Sequence, residues 1–309
     1  MKTELPLITI MGPTGVGKTD LTLALSEILP SQIISVDSVQ IYKKMDIGSG
    51  KPSKSTLRKF PHKLVNIIEP WQTYSTALFS IDSKKEIENC YKVELIPLLV
   101  GGTMLYFKTL VEGISSMPKA NLQIRKKITD EAKDVGWSFL HKRLAQVDPH
   151  SASRIHPNDS QRIQRALEVY ELSSKPISEW QNESKVKTLS KKDVVQFAIE
   201  PESRELLRKK IKKRFLRMLD VGLVKEVETL LNTDKMNIDR VSMKSVGYRQ
   251  VSEYLMGDTS YDEMINKAVN ATRQLAKRQM TWLRNWKEVI WISSKIEPSL
   301  KVIKSRIKV

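Results

Sequence analysis

Cysteine is almost missing from this chain. Cys90 is the only one in 309 residues, so no internal disulfide forms and no cysteine-rich zinc module can be built. The four histidines, His62, His141, His150 and His156, fall at no metal-ligand spacing. No apolar run approaches the roughly 20 residues that a membrane-crossing helix needs. The amino terminus enters an apolar run within a few residues, which leaves no room for a secretory leader. Internal repeats and low-complexity tracts are absent too. Together these absences predict a soluble, cytoplasmic protein without membrane contact.

Acidic charge is also short. Asp and Glu number 35 against 52 Lys and Arg, a net charge of +17. The imbalance is uneven: 13 basic to 11 acidic in residues 1–118, 15 to 10 in 119–193, and 24 to 14 in 194–309. A small anion needs no such excess, whereas a polyanion such as nucleic acid does. A basic surface that only aids solubility would count the same, so charge alone does not choose. Hydrophobic residues make up 40%, enough for a real core, and the length suits one large or two unequal domains.

What is present begins at Gly12-Pro13-Thr14-Gly15-Val16-Gly17-Lys18-Thr19, a full match to G-x-x-x-x-G-K-[ST]. It follows the apolar run Leu7–Met11. It precedes Leu21, Ala24, Leu25 and Ile28, which recur with helical spacing. Strand, glycine-rich loop and helix form the context a phosphate-binding loop requires. Glycines let the backbone curl its N–H groups inward, and the helix start adds positive potential. Lys18 supplies a point charge, and the Thr19 hydroxyl suits Mg²⁺. The loop predicts binding of a diphosphate or polyphosphate, with ATP as the default nucleotide.

Further apolar runs, Ile33–Val36, Leu64–Ile68, Ile96–Val100, Val194–Ile199 and Val289–Ile292, alternate with helical patterns. They predict an α/β fold, a phosphate-loop parallel sheet with helices on both faces, whose strand ends carry the ligand site. Residues 118–193 lack strand-like runs, start near Pro118 and close in the polar stretch Asn182–Asp193. They predict an all-helical insertion between core segments 1–117 and 194–309. Beyond it, Leu207, Ile211, Phe215 and Met218 form an apolar stripe on a strongly basic helix.

A phosphate-loop ATPase usually carries an acid at the end of a second strand to hold Mg²⁺ and order water. Ile96–Val100 ends instead in Gly101-Gly102-Thr103. The acid that does end a strand is Asp37, in Val36-Asp37-Ser38-Val39-Gln40. There it can serve as a general base or a metal ligand, or simply cap a helix. Thr103 either faces the crevice or caps the next helix. In the insertion, Gln161, Arg162 and Arg165 share one side of a helix, while Ile163, Ala166, Leu167 and Tyr170 share another. Gln and Arg suit base edges and phosphates, though a solvated charged face would look alike. Near the carboxyl end, Arg273, Lys277 and Arg284 lie beside Trp282 and Trp286. Cations next to aromatics suit nucleic acid, and the tryptophans suit a core equally.

The phosphate loop, Val36-Asp37-Ser38, Met45-Asp46-Ile47-Gly48, Tyr74-Ser75, Leu99 to Tyr106, Asp159 to Arg165, Val246 to Gln250 and Gln274 to Arg284 resemble, in this order, the motifs of the tRNA dimethylallyltransferases, also called tRNA isopentenyltransferases. The resemblance spans nearly the whole chain. It implies transfer of a dimethylallyl group from dimethylallyl diphosphate to N6 of the adenosine 3′-adjacent to the anticodon in tRNA, with Mg²⁺ as cofactor. It implies that Gly12 to Thr19 hold the diphosphate, that Asp37 accepts the N6 proton, that Thr103 positions a substrate, and that Lys18 and Arg214 neutralise charge. Contacts to the tRNA anticodon stem-loop are implied for Asp37, Ser38, Val39, Gln40, Thr103, Arg125, Gln161, Arg162, Ile163, Gln164 and Arg165. They are also implied for Met243, Lys244, Ser245, Val246 and Gly247. The target base would be extruded from its stack. Lys63 stands where the family often has a second His, and Lys244 where an Arg is common. The zinc module of eukaryotic members is absent, which points to a bacterial or organelle-type enzyme, expected to act as a monomer.

Three rivals remain at this stage. A phosphate-loop nucleotide or small-molecule kinase accounts for the loop but not for the basic insertion and carboxyl region. An isopentenyltransferase of free adenine nucleotides needs no stem-loop grip. A non-catalytic RNA-binding module leaves Lys18, Thr19 and Asp37 without a purpose.

Overall fold

The computed structural model describes residues 5–113, 115–183 and 194–307. The chain runs β1 (Leu7–Met11), α1 (Lys18–Ser26), β2 (Ser31–Val36), α2 (Lys54–Lys59), β3 (His62–Lys63), α3 (Thr76–Lys92), β4 (Ile96–Gly101) and α4 (Met104–Glu112). Among the described residues five helices follow: α5 (Leu122–Val135), α6 (Trp137–Val147), α7 (Pro149–Ala152), α8 (Ser160–Ser173) and α9 (Ile177–Asn182). The chain then resumes with β5 (Val194–Glu200), α10 (Arg204–Asp220), α11 (Leu223–Leu231), α12 (Tyr248–Leu255), α13 (Tyr261–Arg284), β6 (Ile290–Ser293) and α14 (Ile296–Arg306). It divides into two compact units, one of residues 1–111 and 189–309, the other of residues 112–188.

In the first unit six parallel strands form one sheet, ordered β3-β2-β4-β1-β5-β6. β1 is buried along its whole length, which is why it reads as an unbroken apolar run. Its side chains divide by alternation. Leu7 and Met11 join Phe79 and Ile87 of α3 and Phe107 of α4. Ile8 and Ile10 join Leu21 and Leu25 of α1 and Ile303 of α14. A third cluster gathers Leu207, Ile211 and Phe215 of α10 with Val227, Tyr248, Met264 and Ala268, and takes in Ile41, Tyr42 and Met45 from beyond β2. The expected stripe on the basic helix is thus a buried seam.

Two local expectations need correction. Leu64–Ile68 is not a strand: pairing with β2 stops at Lys63, and Leu64 and Asn66 adopt φ of +59° and +58°, which breaks an extended run. The amides of Asn66 and Ile67 donate instead to the carbonyls of Gln40 and Ile41. α1 ends at Ser26, so Leu21 and Leu25 carry its buried face while Ile28 lies past the end and is exposed.

The second unit packs α5 to α9 around Ile128, Leu140, Leu144, Ile163 and Leu167. At its centre the fully buried Glu168 takes bidentate bonds from Arg125, at 2.9 and 3.1 Å, another from Arg165 at 2.7 Å, and the Asn121 amide at 2.7 Å. Burial alone would raise its carboxyl pKa, but these donors hold it below the ordinary value. The expected polar close of the insertion, Asn182 to Asp193, lies from residue 184 on outside the described residues. Among the described residues no helix is long and apolar enough to cross a membrane.

Candidate active site

Register builds the site. Met11 of β1 and Val36 of β2 are both opposite Gly101 of β4. The three strands therefore end in line, and the segments that leave them, Gly12–Gly17, Asp37–Gln40 and Gly102–Thr103, share the carboxyl edge of the sheet, where parallel α/β sheets bind ligands.

Gly17 sits at φ +103° and starts α1 with no side-chain cap. The first-turn N–H groups of α1 are thereby left for an anion. Lys18 Nζ donates to the loop's own carbonyls, Gly12 at 2.9 Å and Pro13 at 3.0 Å. Burial lowers its pKa to about 8; Asp37 works against that shift and Arg214 adds to it. The Thr14 amide donates to Gln279 Oε1 at 2.9 Å, and Gln279 Nε2 donates to the Gly102 carbonyl at 2.8 Å. One buried amide on α13 thus joins the phosphate loop to the end of β4.

Asp37 Oδ1 accepts from the amides of Val39, at 2.8 Å, and Gln40, at 3.2 Å. Among the described residues Oδ2 takes no hydrogen bond. Thr103 Oγ1 accepts from the Ser38 amide at 3.1 Å, and the Thr103 amide donates to the Val36 carbonyl at 3.2 Å. Thr103 therefore braces the turn that carries Asp37. The Gln40 side chain accepts from Ser35 Oγ at 3.0 Å and donates to the Gly50 carbonyl at 3.4 Å. Gly50 has φ +63°, and a Cβ there would overlap the Arg214 guanidinium. Burial holds the Arg214 pKa below its usual value, opposed by Asp37.

These groups open on a cleft of about 750 Å³. Lys18, Lys210, Lys213, Arg214 and Arg217 line it against two carboxylates, Asp20 and Asp37. Val16, Val39, Ile211, Phe215, Met218, Val246 and Leu275 supply an apolar wall. A cationic floor with an apolar wall suits an anion bearing a hydrocarbon tail. No group of three or more His, Cys, Asp or Glu able to hold a metal occurs among the described residues. The side-chain oxygens at hand are the Thr19 hydroxyl and the carboxylates of Asp20 and Asp37. That set fits Mg²⁺, which uses one or two protein oxygens and takes the rest from phosphate and water.

The other expected residues separate. Val39, Gln40, Val246 and Gly247 line the cleft, Lys244 is exposed and Ser245 half-buried. Met243 is a correction: it is 1% exposed and packs in the α10–α13 core, so its side chain offers nothing to RNA. Ile163 is another, fully buried among the helices of the second unit. Gln164 commits its amide nitrogen to Arg125 O and Thr129 Oγ1. Arg125 and Arg165 are tied to Glu168. Gln161 is exposed; Arg162 is exposed and pairs with Asp159 at 3.2 Å. Arg273, Lys277 and Arg284 join Arg204 and Arg208 along a separate groove of about 540 Å³. Trp286 donates to Gln196 at 2.9 Å, whereas Trp282 stays part-exposed with Lys108 over its ring.

Gln279 and Glu226 escape a reading of the sequence. Glu226 accepts from the amides of Asp46, Ile47 and Gly48 and from the Tyr248 hydroxyl. Each lies in an ordinary helical pattern, and most of their partners are backbone groups far along the chain.

Sheet order, loop and cleft define a phosphate-loop α/β protein with room for more than a phosphate. The IPP transferase family profile matches residues 40–286, and an isopentenyl transferase profile matches residues 5–65. The tRNA dimethylallyltransferase 2 of Hahella chejuensis is 46% identical over 98% of this chain and 96% of its own. A tRNA isopentenylpyrophosphate transferase of Bacillus halodurans aligns at TM-score 0.69 and 30% identity, covering 97% of this chain and 93% of that one. A eukaryotic dimethylallyltransferase acting on tRNA aligns at TM-score 0.79 and 25% identity, covering 98% and 81%. The chain belongs to the IPP transferase family and is a transferase.

Proposed function

We propose that this protein transfers the dimethylallyl group of dimethylallyl diphosphate to N6 of the adenosine 3′-adjacent to the anticodon of tRNA. The observation that carries the proposal is the meeting of Lys18, Arg214 and Asp37 at one cleft with an apolar wall, in a chain whose relatives are named for acting on tRNA. The loop amides of Gly15 to Thr19, Lys18 and Arg214 hold the diphosphate and stabilise the charge it gains as it leaves. The N6 lone pair attacks the allylic C1, the C1–O bond breaks, and its electron pair departs with the diphosphate. The N6 proton passes to Asp37 Oδ2. An aromatic amine is a weak nucleophile, so a placed base matters. Thr103 keeps the Asp37 turn in position. Mg²⁺, when bound, would neutralise diphosphate charge; the Thr19 hydroxyl would hold it, which leaves Asp37 Oδ2 for the proton.

Asp37 to Gln40, Thr103 and Lys244 to Gly247 then contact the extruded base and its neighbours. Residues 118–193 bind the anticodon stem-loop, through Gln161 and Arg162 by direct contact and through Arg125 and Arg165 as a paired positive patch. The protein works as a cytoplasmic monomer. The test is incubation with unmodified tRNA, Mg²⁺ and labelled dimethylallyl diphosphate, in parallel with labelled ATP and with free adenine nucleotides as acceptors. Label in tRNA at that adenosine is the expected result. Phosphate moving from ATP to an acceptor, or prenylation of free nucleotides alone, would overturn the proposal.

A further inference from the structure

The segment Met45–Gly50 has no role in the mechanism above, yet it is held with unusual completeness. Glu226 Oε2 accepts from the amides of Asp46, at 2.8 Å, and Ile47, at 2.7 Å. Its Oε1 accepts from the Gly48 amide at 3.1 Å and from the Tyr248 hydroxyl at 2.6 Å. That hydroxyl in turn accepts from the Ser49 amide at 3.2 Å. Four successive amides, residues 46 to 49, are thus taken up by one carboxylate and one phenol. Both supports are rigid. Leu223, Val227 and Leu230 bury α11, which carries Glu226, and Tyr248 is itself fully buried.

Next along the chain from this run is Gly50. Its bare Cα makes room for the Arg214 guanidinium, and its carbonyl accepts from Gln40. Where residues 46 to 49 sit fixes where Gly50 sits, and Gly50 is the wall that Arg214 rests against. We infer that Glu226 is a positioning residue for the diphosphate site, setting through Met45–Gly50 the place of Arg214 opposite the phosphate loop. Glu226 itself touches no substrate. The inference rests on the proposed function, because it needs Arg214 to face a diphosphate.

The alternative is a carboxylate that only stabilises a loop. The two differ in coupling. A positioning residue acts through Arg214 and loses its effect when Arg214 is gone; a merely stabilising one acts equally in both backgrounds. Titration calorimetry with inorganic diphosphate and Mg²⁺ is carried out on the full-length wild type, Glu226→Gln, Arg214→Ala and the double variant, alongside thermal unfolding and tRNA binding. Glu226→Gln is expected to weaken diphosphate binding by about tenfold in the wild-type background and by less than about twofold in Arg214→Ala, with tRNA affinity unchanged. Tyr248→Phe keeps the buried ring and removes only the hydroxyl, so it serves if Glu226→Gln does not fold; about a threefold loss is expected. Wild-type diphosphate affinity in a folded variant, or equal losses in both backgrounds, would overturn the inference alone. No diphosphate binding by the wild type would remove the proposed function and this inference with it.

Discussion

Replacing Gln279 by Leu tests whether the phosphate loop is held in shape from outside. The two side chains are close in size, so the change leaves little cavity. What it removes is a pair of bonds, Thr14 N–H to Oε1 at 2.9 Å and Nε2 to the Gly102 carbonyl at 2.8 Å. Their costs differ. Thr14 is half-exposed, so water can replace its partner, whereas the Gly102 carbonyl is bonded in a buried setting. A buried carbonyl without a partner costs about 1–3 kcal/mol, and an exchanged amide bond about 1 kcal/mol, so the total is about 2–4 kcal/mol. Urea unfolding reads that sum directly.

Function should fall further than folding. The two bonds fix the crossing of the phosphate loop over the end of β4, beside the turn that bears Asp37. Misplacement of reacting groups by about 1 Å costs on the order of a hundredfold in rate. Steady-state transfer to tRNA by Gln279→Leu should therefore drop on the order of tenfold to a hundredfold at a temperature where the variant is fully folded. Gln279→Glu is the sharper control, since it sets a carboxylate oxygen against the Gly102 carbonyl and should be worse than Leu. A Leu variant with wild-type unfolding midpoint and wild-type transfer would refute the reasoning.

Three further outcomes are expected. Asp37→Asn keeps the bonds that cap the turn and loses the base, so transfer should fall by about 10²–10⁴-fold while tRNA affinity holds; near-normal turnover would remove Asp37 as the base. The pKa of about 8 at Lys18 means that the free protein carries this charge below that pH and loses it above; kcat/KM for dimethylallyl diphosphate should decline above about pH 8 while kcat, set in the complex, stays flatter, and a level kcat/KM up to pH 9.5 would count against the charge. Glu168→Ala removes the buried partner of the Asn121 amide and of Arg125 and Arg165, whose side chains are 38% and 30% exposed and so open to water; it should destabilise the second unit by about 1–3 kcal/mol in a denaturation curve, and a loss under about 0.5 kcal/mol would mean the network contributes nothing to stability.

The parts of the site legible in the sequence are those built from neighbours. The phosphate loop is eight consecutive residues, and β1, β2, β4 and β5 show as apolar runs because both faces of each are covered. Leu64–Ile68 misleads because apolar content resembles a strand; Asn66 is of a type that favours positive φ, but the positive φ of Leu64 leaves no mark in residue type. Ile163 and Met243 mislead for another reason. A contiguous stretch taken as one contact surface must include the residue that its helix or turn buries, and α8 buries Ile163 between the exposed Arg162 and the half-buried Gln164. Gln279 and Glu226 were beyond reach. Apart from the Tyr248 hydroxyl on Glu226, their partners are backbone amides and carbonyls between 177 and 265 residues away. A backbone partner imposes no side-chain pattern that spacing could reveal.

Of the two readings open for Asp37, helix cap and general base, the first is corrected, because no helix starts there and Asp37 caps a turn instead; that turn cap is compatible with the proposed base and would orient it. The cap uses Oδ1 alone, through Val39 and Gln40, which fixes the carboxylate's orientation without occupying Oδ2. A base free to rotate would spend most of its time misaligned; one pinned by its other oxygen is pre-oriented at no cost when substrate arrives. The same economy recurs at Thr103, whose hydroxyl holds Ser38 and so holds the turn. It follows that Thr103→Val, which keeps the shape and drops that bond, should lower kcat through Asp37 rather than through substrate affinity. The loss should be about twofold to tenfold, the equivalent of one hydrogen bond of about 0.5–1.5 kcal/mol. In the Asp37→Asn background the same substitution should cost almost nothing further, because the base it steadies is already gone. Equal losses in both backgrounds would separate Thr103 from Asp37 and leave it only its own contact with the extruded base.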